Sequence, residues 1–178
     1  MLDKKEVQES IDKFRKYVIQ QSRSNLSKQG KNFSKSLYNS LNGVSKVNPN
    51  SISLYFEMEE HGLYQDKGVK GKISSSKAPS SHYKFGSGTG KKGGLTQGIQ
   101  KWVKGKRFQF RNKQGKFLSY ESTAFLITRS IYNKGLKPSL FFTKPFEKAF
   151  KDLPQELVEA YGIDVINTFI KDKWITYM

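Results

Sequence analysis

Between Lys67 and Lys116 the chain carries 14 Lys and Arg residues and not one Asp or Glu. A run of like charge this long repels itself and needs a counter-charge to become ordered. The flanks hold the other 18 basic residues against all 15 acidic ones, a net of +3 within a total of +17. The charge therefore belongs to one segment, and the flanks read as an ordinary, mixed domain surface. A chain of 178 residues fits a single domain. The expectation is one α+β domain over residues 1–178, with a Lys/Gly/Ser-rich insertion or arm at about 67–116.

Hydrophobic residues make up only 35% of the chain, yet 13% are aromatic, which argues against simple disorder. The absence of cysteine excludes disulfides and thiolate chemistry. No apolar run approaches the ~18 residues of a membrane span. The stretch Met1 to Glu9 is charged and does not read as a secretory signal. These features predict a soluble protein, without membrane contact, that folds in a reducing compartment.

Hydrophobic periodicity sets the elements. Asp3 and Glu6 form a capping-box pattern, and Val7, Ile11, Phe14 and Val18 make the apolar stripe of a helix reaching about Ser24. After Gly30, Phe33, Leu37 and Leu41 continue a shorter helical stripe to Asn42-Gly43. Val44 to Val47, a turn at Asn48-Pro49-Asn50, and the alternation Ile52, Leu54, Phe56, Met58 read as a β-hairpin. Glu59 to Gly68 predicts one helical turn, and Val69 to Gly94 a loop or an extended arm rather than a packed element. Thr96 is a candidate cap for a helix carrying Ile99, Trp102 and Val103, and Asn112 to Gly115 is a turn between Phe110 and Phe117. A helix opens at Ser119 or Ser122 and closes on Gly135 in a left-handed cap. Leu140-Phe141-Phe142 reads as a brief strand, and Pro145 opens a short helix to Phe150. A last helix starts at Asp152, with Leu157, Val158, Tyr161, Val165, Ile166 and Phe169 as its stripe.

No motif in the chain carries catalysis. Gly88, Gly90 and Gly93 match a dinucleotide fingerprint in letters, but no hydrophobic strand precedes them and no acidic residue follows at ribose distance. Lys91 and Lys92 miss the phosphate-loop spacing, and Lys92 stands where Ser or Thr would meet magnesium. His61 and His82 lie outside any metal-ligand spacing, and His61 beside Glu59 and Glu60 predicts one structural imidazole hydrogen bond. No pair of carboxylates is forced into one cleft. The expectation is a protein that is not an enzyme and holds neither metal nor cofactor.

The candidate contact residues are therefore the cations of the basic segment: Lys67, Lys70, Lys72, Lys77, Lys84, Lys91, Lys92, Lys101, Lys104, Lys106, Arg107, Arg111, Lys113 and Lys116. Tyr83, Phe85, Trp102, Phe108 and Phe110 are interleaved with them. Aromatic rings among cations suit stacking on nucleic-acid bases, and equally suit anchoring an arm in grooves of a neighbouring subunit. Contact with DNA phosphates would be sequence-blind and salt-dependent. The arm Val69 to Gly94 is expected to order only on assembly.

Two stretches carry a resemblance. One runs from Val18 through Leu41 and the hairpin to His61-Gly62-Leu63-Tyr64-Gln65-Asp66-Lys67-Gly68, with Gly30, Phe33, Leu37, Tyr38, Tyr64, Asp66 and Gly68 at the telling places. The other runs from Ile127 through Phe150, with Ile131, Tyr132, Lys134-Gly135, Pro138 and Leu140-Phe141-Phe142-Thr143-Lys144-Pro145-Phe146. Together they resemble phage head–tail joining, or tail-completion, proteins, including the neck proteins of crAss-like phages. The likeness covers most of the flanks. It departs at Ser34-Lys35-Ser36, where the family has an Asp-Thr-Gly run, and in the length of the Lys67–Lys116 segment. The resemblance implies an α+β subunit of a closed homo-oligomeric ring, twelve-fold favoured over six-fold, in the virion neck. Its partners would be the portal and other neck or tail proteins, with nonspecific contact to packaged DNA in the channel. Such a protein is made in the host cytoplasm. The basic segment is then expected to meet a neighbouring neck subunit first and channel DNA second. A stand-alone, sequence-nonspecific nucleic-acid-binding protein is the alternative.

Overall fold

The computed structural model describes residues 4–48, 51–88, 93–153 and 167–170. The element order is α1 (Lys4–Lys28), α2 (Ser36–Ser40), β1 (Asn42–Asn48), β2 (Ser51–Met58), α3 (His61–Lys67), α4 (Gly94–Lys106), α5 (Tyr120–Lys134), α6 (Thr143–Lys151) and β3 (Asn167–Ile170). This is an α+β chain. It divides into two compact units: residues 1–66 with 140–178, and an inserted unit of residues 67–139.

The first unit is built on α1. Val7, Ile11, Phe14 and Val18 are buried as the stripe predicts, and Ser22 and Leu26 extend the buried face, so the helix runs a turn beyond Ser24. Asp3 lies outside the described residues. Phe14 and Val18 pack with Leu26, Leu37, Leu41, Phe56, Met58, Phe141, Phe142 and Ala149. Aromatic rings dominate this core. Phe14 meets Phe146 edge-on at 5.5 Å, and Phe56 meets Phe142 at 5.2 Å. Such pairs add about 0.5–1.5 kcal/mol each beyond area burial.

The hairpin is antiparallel, with Gly43 opposite Phe56 and Asn48 opposite Ser51; Pro49 and Asn50 lie outside the described residues. Period two is clear at the end of β2, with Phe56 and Met58 buried and Glu57 exposed, while Ser53, Leu54 and Tyr55 are all half-buried. The strand β3 adds to β2 in parallel, from Tyr55 opposite Asn167 to Met58 opposite Ile170, giving the order β1-β2-β3. Phe169, expected in a helix, is thus in a strand; the rest of that stripe, Leu157 to Ile166, lies outside the described residues. Residues around Glu59 to Gly68 form two turns of helix, not one, and Gly62 lets α3 lie close on Leu37 and Met58, where a Cβ would sit 2.7 Å from each. Phe33 stands before α2 and is half exposed, so the second stripe is shorter than its spacing implies.

Leu140-Phe141-Phe142 is not a strand. The carboxylate of Asp66, 2% exposed, accepts the backbone N–H of Phe142 at 2.9 Å and of Thr143 at 3.2 Å, and also the Thr143 hydroxyl. The Asp66 carbonyl accepts the N–H of Leu140 at 3.0 Å. With those donors satisfied by one residue, the segment has no need of a ladder. It turns through Leu140, whose φ is +51°, into α6, where Pro145 sits in the first turn.

The inserted unit is folded where the sequence reads as an arm. Val69 and Leu136 exchange two backbone hydrogen bonds, 2.9 and 2.8 Å. Lys72 N–H donates to Tyr132 O, and the N–H groups of Ile73 and Ser74 both donate to Asn133 O. Lys70 N–H donates to Tyr83 O, and Phe85 N–H to Lys70 O. Glycine makes this approach possible: a Cβ on Gly71 would lie 2.1 Å from the Asn133 carbonyl oxygen. Gly135 adopts φ +85°, ψ 175°, an extended glycine conformation and not the left-handed cap its position predicts. The helix α4 begins at Gly94 behind Gly93, two residues before Thr96. The helix α5 begins behind Ser119, whose hydroxyl accepts the N–H of Ser122 at 3.1 Å. The buried apolar residues of this unit are Val69, Ala78, Val103 and Ala124, a small core.

Candidate polyanion interface

Fold and charge divide at the same places. The inserted unit carries 17 Lys and Arg residues and a single acidic residue, Glu121, a net of +16. The first unit carries 15 basic and 14 acidic residues, a net of +1. The basic region therefore extends past Lys116 to include Arg129, Lys134 and Lys137. Their signal in the sequence was the gap of 25 residues between Glu121 and Glu147 without an acidic residue.

Nearly all of the predicted contact cations are on the surface. Lys67, Lys72, Lys77, Lys84, Lys101, Lys104, Lys106, Arg107, Arg111, Lys113 and Lys116 are exposed, and Lys70 is half-buried. Lys91 and Lys92 lie outside the described residues. The sole acidic residue is engaged: Lys104 Nζ is 3.6 Å from Glu121 Oε1. The Glu121 carboxyl is held below its ordinary value, chiefly by its own backbone N–H at the start of α5, against desolvation and with help from Lys104 and Ser119.

The predicted aromatic residues fall into two groups. Tyr83 and Phe85 are half-buried on the stretch paired with Lys70, and Phe85 packs on Tyr132 at 5.7 Å. They fasten this unit to itself. Trp102, Phe108 and Phe110 form a chain of rings, 5.8 Å from the first to the second and 5.3 Å from the second to the third. Phe117, which was not singled out as a contact residue, joins this region, with the Arg111 guanidinium 4.3 Å over its ring. Phe125 and Leu126 on α5 are also exposed.

The segment between α4 and α5 is fixed by local bonds. Arg107, at φ +52°, closes α4 with its N–H on Lys104 O, and Phe108 N–H reaches Val103 O. The Asn112 side chain accepts the N–H groups of Gln114 at 3.0 Å and Lys116 at 2.9 Å. Leu118 N–H donates to Phe110 O at 2.8 Å, and Phe110 N–H to the hydroxyl of buried Thr123 at 3.2 Å. The turn predicted at Asn112 to Gly115 is present, with Arg111 bridged to Phe117.

Elsewhere, His61 Nδ1 lies 3.0 Å from Glu59 Oε2, the local contact its neighbours predict, and His82 is exposed. Among the described residues no cluster of three or more His, Asp or Glu side chains is arranged to hold a metal ion. No described helix is long and apolar enough to cross a membrane. Comparison with protein-family models, with characterised proteins and with solved structures finds no match.

Proposed function

We propose that this chain is a structural, non-catalytic subunit of a phage neck. It forms a closed ring between portal and tail as a head–tail connector or tail-completion protein, DNA passes through the ring, and the inserted unit is the part that faces negative charge. The observation that carries this is the partition of charge, +16 in one folded unit and +1 in the other. Self-repulsion of that size, with a Debye length of about 10 Å at 0.1 M salt, favours a site lined by phosphates or by an acidic surface. The family-like spacing of Tyr64, Asp66 and Gly68 and of Pro138 through Phe146 supports the neck as that site. A closed ring needs a heterologous contact between unlike surfaces, and two units of different charge offer one.

The test is a symmetric reconstruction of the neck of particles purified from an infected culture, with mass spectrometry of the same particles. The expected result is a ring built of this chain. Particles that lack the chain, or a neck with no ring of it, overturn the proposal. The same charge also supports a stand-alone nucleic-acid-binding protein, which predicts the chain in infected cells, bound to DNA, and missing from particles.

A further inference from the structure

We infer that the inserted unit holds a preformed site for duplex nucleic acid, made by the C-terminal half of α4 and the turn that follows, and that the aromatic rings there shape the site without stacking on bases. The inference deepens the proposal that this unit faces negative charge, and does not need the ring.

Charge density picks the place. Seven of the unit's 17 cations fall in the 16 residues from Lys101 to Lys116, and the other ten are spread over the remaining 57. Lys101, Lys104, Lys106, Arg107, Arg111 and Lys113 are all exposed. Duplex DNA presents a negative charge every ~1.7 Å along its axis, and so rewards a cluster more than scattered cations do.

Order makes the cluster a site. The Asn112 turn, the Leu118–Phe110 bond and the Phe110–Thr123 bond tie the loop to itself and to α5, so little conformational entropy remains to be lost on binding. The rings have other work. Phe108 contacts Trp102 on one side and Phe110 on the other, and Arg111 covers Phe117. Rings engaged in this way brace the backbone that carries Arg107 and Arg111. The rings keep exposed parts, 40% for Phe108, 37% for Phe110 and 61% for Phe117, but each already has a ring or a guanidinium against it, and the cations around them suit a phosphate backbone more than unpaired bases.

The experiment is fluorescence anisotropy of the full chain with a labelled ~20-bp duplex, repeated from 50 to 200 mM salt. Two variants remove equal charge: K101Q/K104Q/R107Q/R111Q in the cluster, and K72Q/K77Q/K84Q/K137Q outside it. The cluster variant is expected to lose at least tenfold more affinity than the other, and to lower the salt slope by about 3–4, near 0.9 per phosphate contact. F110L, which loosens the brace and removes a ring, is expected to change duplex and single-stranded affinity by the same factor. Equal losses in the two charge variants would mean a diffuse field and overturn the site. Single-stranded DNA of the same length bound at least fivefold better than duplex, with that advantage lost in F110L, would mean stacking and overturn the role given to the rings. No duplex binding at 50 mM salt, or displacement of the duplex by polyglutamate at equal charge, would point to an acidic protein and sink the inference. None of these outcomes decides whether particles contain a ring, so the two proposals fail separately.

Discussion

Replacing Asp66 by alanine is expected to cost the fold about 3–5 kcal/mol. The carboxylate is buried and takes three donors from the two residues that open α6: two backbone N–H groups and the Thr143 hydroxyl. A hydrogen bond to a charged group is worth about 1.5–3 kcal/mol, and a buried donor left without a partner costs about 1–3. Phe142 N–H is the donor with least access to water, since Phe142 is itself buried, so its loss should come near the upper figure. Thr143 is half-buried and recovers part of its loss from solvent. The negative charge at the start of α6 adds about 0.3–1 kcal/mol through the helix dipole. Asp66→Asn keeps the shape and one acceptor oxygen, and is expected to cost roughly half as much. Urea unfolding of the full chain, followed by far-UV circular dichroism, measures both variants. At a slope of about 2 kcal/mol per molar, Asp66→Ala should move the midpoint by about 2 M. A shift under about 0.5 M, or equal shifts for the two variants, would show that the carboxylate does not hold this junction.

In the inserted unit, Gly71→Ala places a Cβ 2.1 Å from the Asn133 carbonyl oxygen, backbone against backbone, and is expected to cost more than about 3 kcal/mol. Limited trypsin digestion should then cut rapidly within residues 67–139 while the first unit persists; an unchanged pattern would refute it. For acid stability, Asp12 is the residue to test. Partial desolvation raises its pKa, but hydrogen bonds from Gln8 and Ser45 and the charges of Arg15 and Lys16 outweigh this and hold it below 3.8. A folded-state pKa below the unfolded one means stability that is full above about pH 3.8 and is lost as pH falls through the folded value. Asp12→Asn should therefore show a shallower fall of Tm between about pH 4 and pH 2, and an identical fall would refute the assignment.

What could be read from the sequence followed from local pattern. The α1 stripe, the period-two strand at Phe56 and Met58, the Ser119 cap and the Asn112 turn each depend on residues a few positions apart, and each is where its spacing puts it. Leu140-Phe141-Phe142 failed for the opposite reason. Three apolar residues in a row look like a strand until their N–H groups find another acceptor, and that acceptor, Asp66, stands 76 and 77 residues earlier for Phe142 and Thr143. Residues 69–88 hold no helix and none of the strands β1 to β3, as a loop reading expects, but their Lys, Ser and Gly composition gave no sign that the loop packs. Gly71 and Gly135 are there to let two backbones touch, and the resulting bonds between residues 69–74 and 132–136 leave no trace in hydrophobic periodicity. The contact cations were legible as a group. The division of the rings was not, since Phe85 and Phe108 sit among the same cations and differ only in what they pack against.

The folded state of the inserted unit changes what a polyanion can do for it. The buried apolar set there is two valines and two alanines, against a first unit whose core holds four phenylalanines. At about 25 cal/mol per Å² of buried apolar surface, such a core offsets little of the entropy lost on ordering the described part of the unit. Close backbone bonding through glycine makes up part of the difference, and mutual repulsion of 17 cations works against it. A ligand that binds only the folded form adds RT ln(1 + [L]/Kd), about 2.7 kcal/mol at a hundredfold excess over Kd. That gain is a large fraction of the stability of a small domain. An anionic partner that binds the folded unit thus raises its margin. The chain leaves the first unit at Asp66 and returns at Leu140, and those two residues are bonded to each other at 3.0 Å. That bond closes the excursion with residues of the first unit alone.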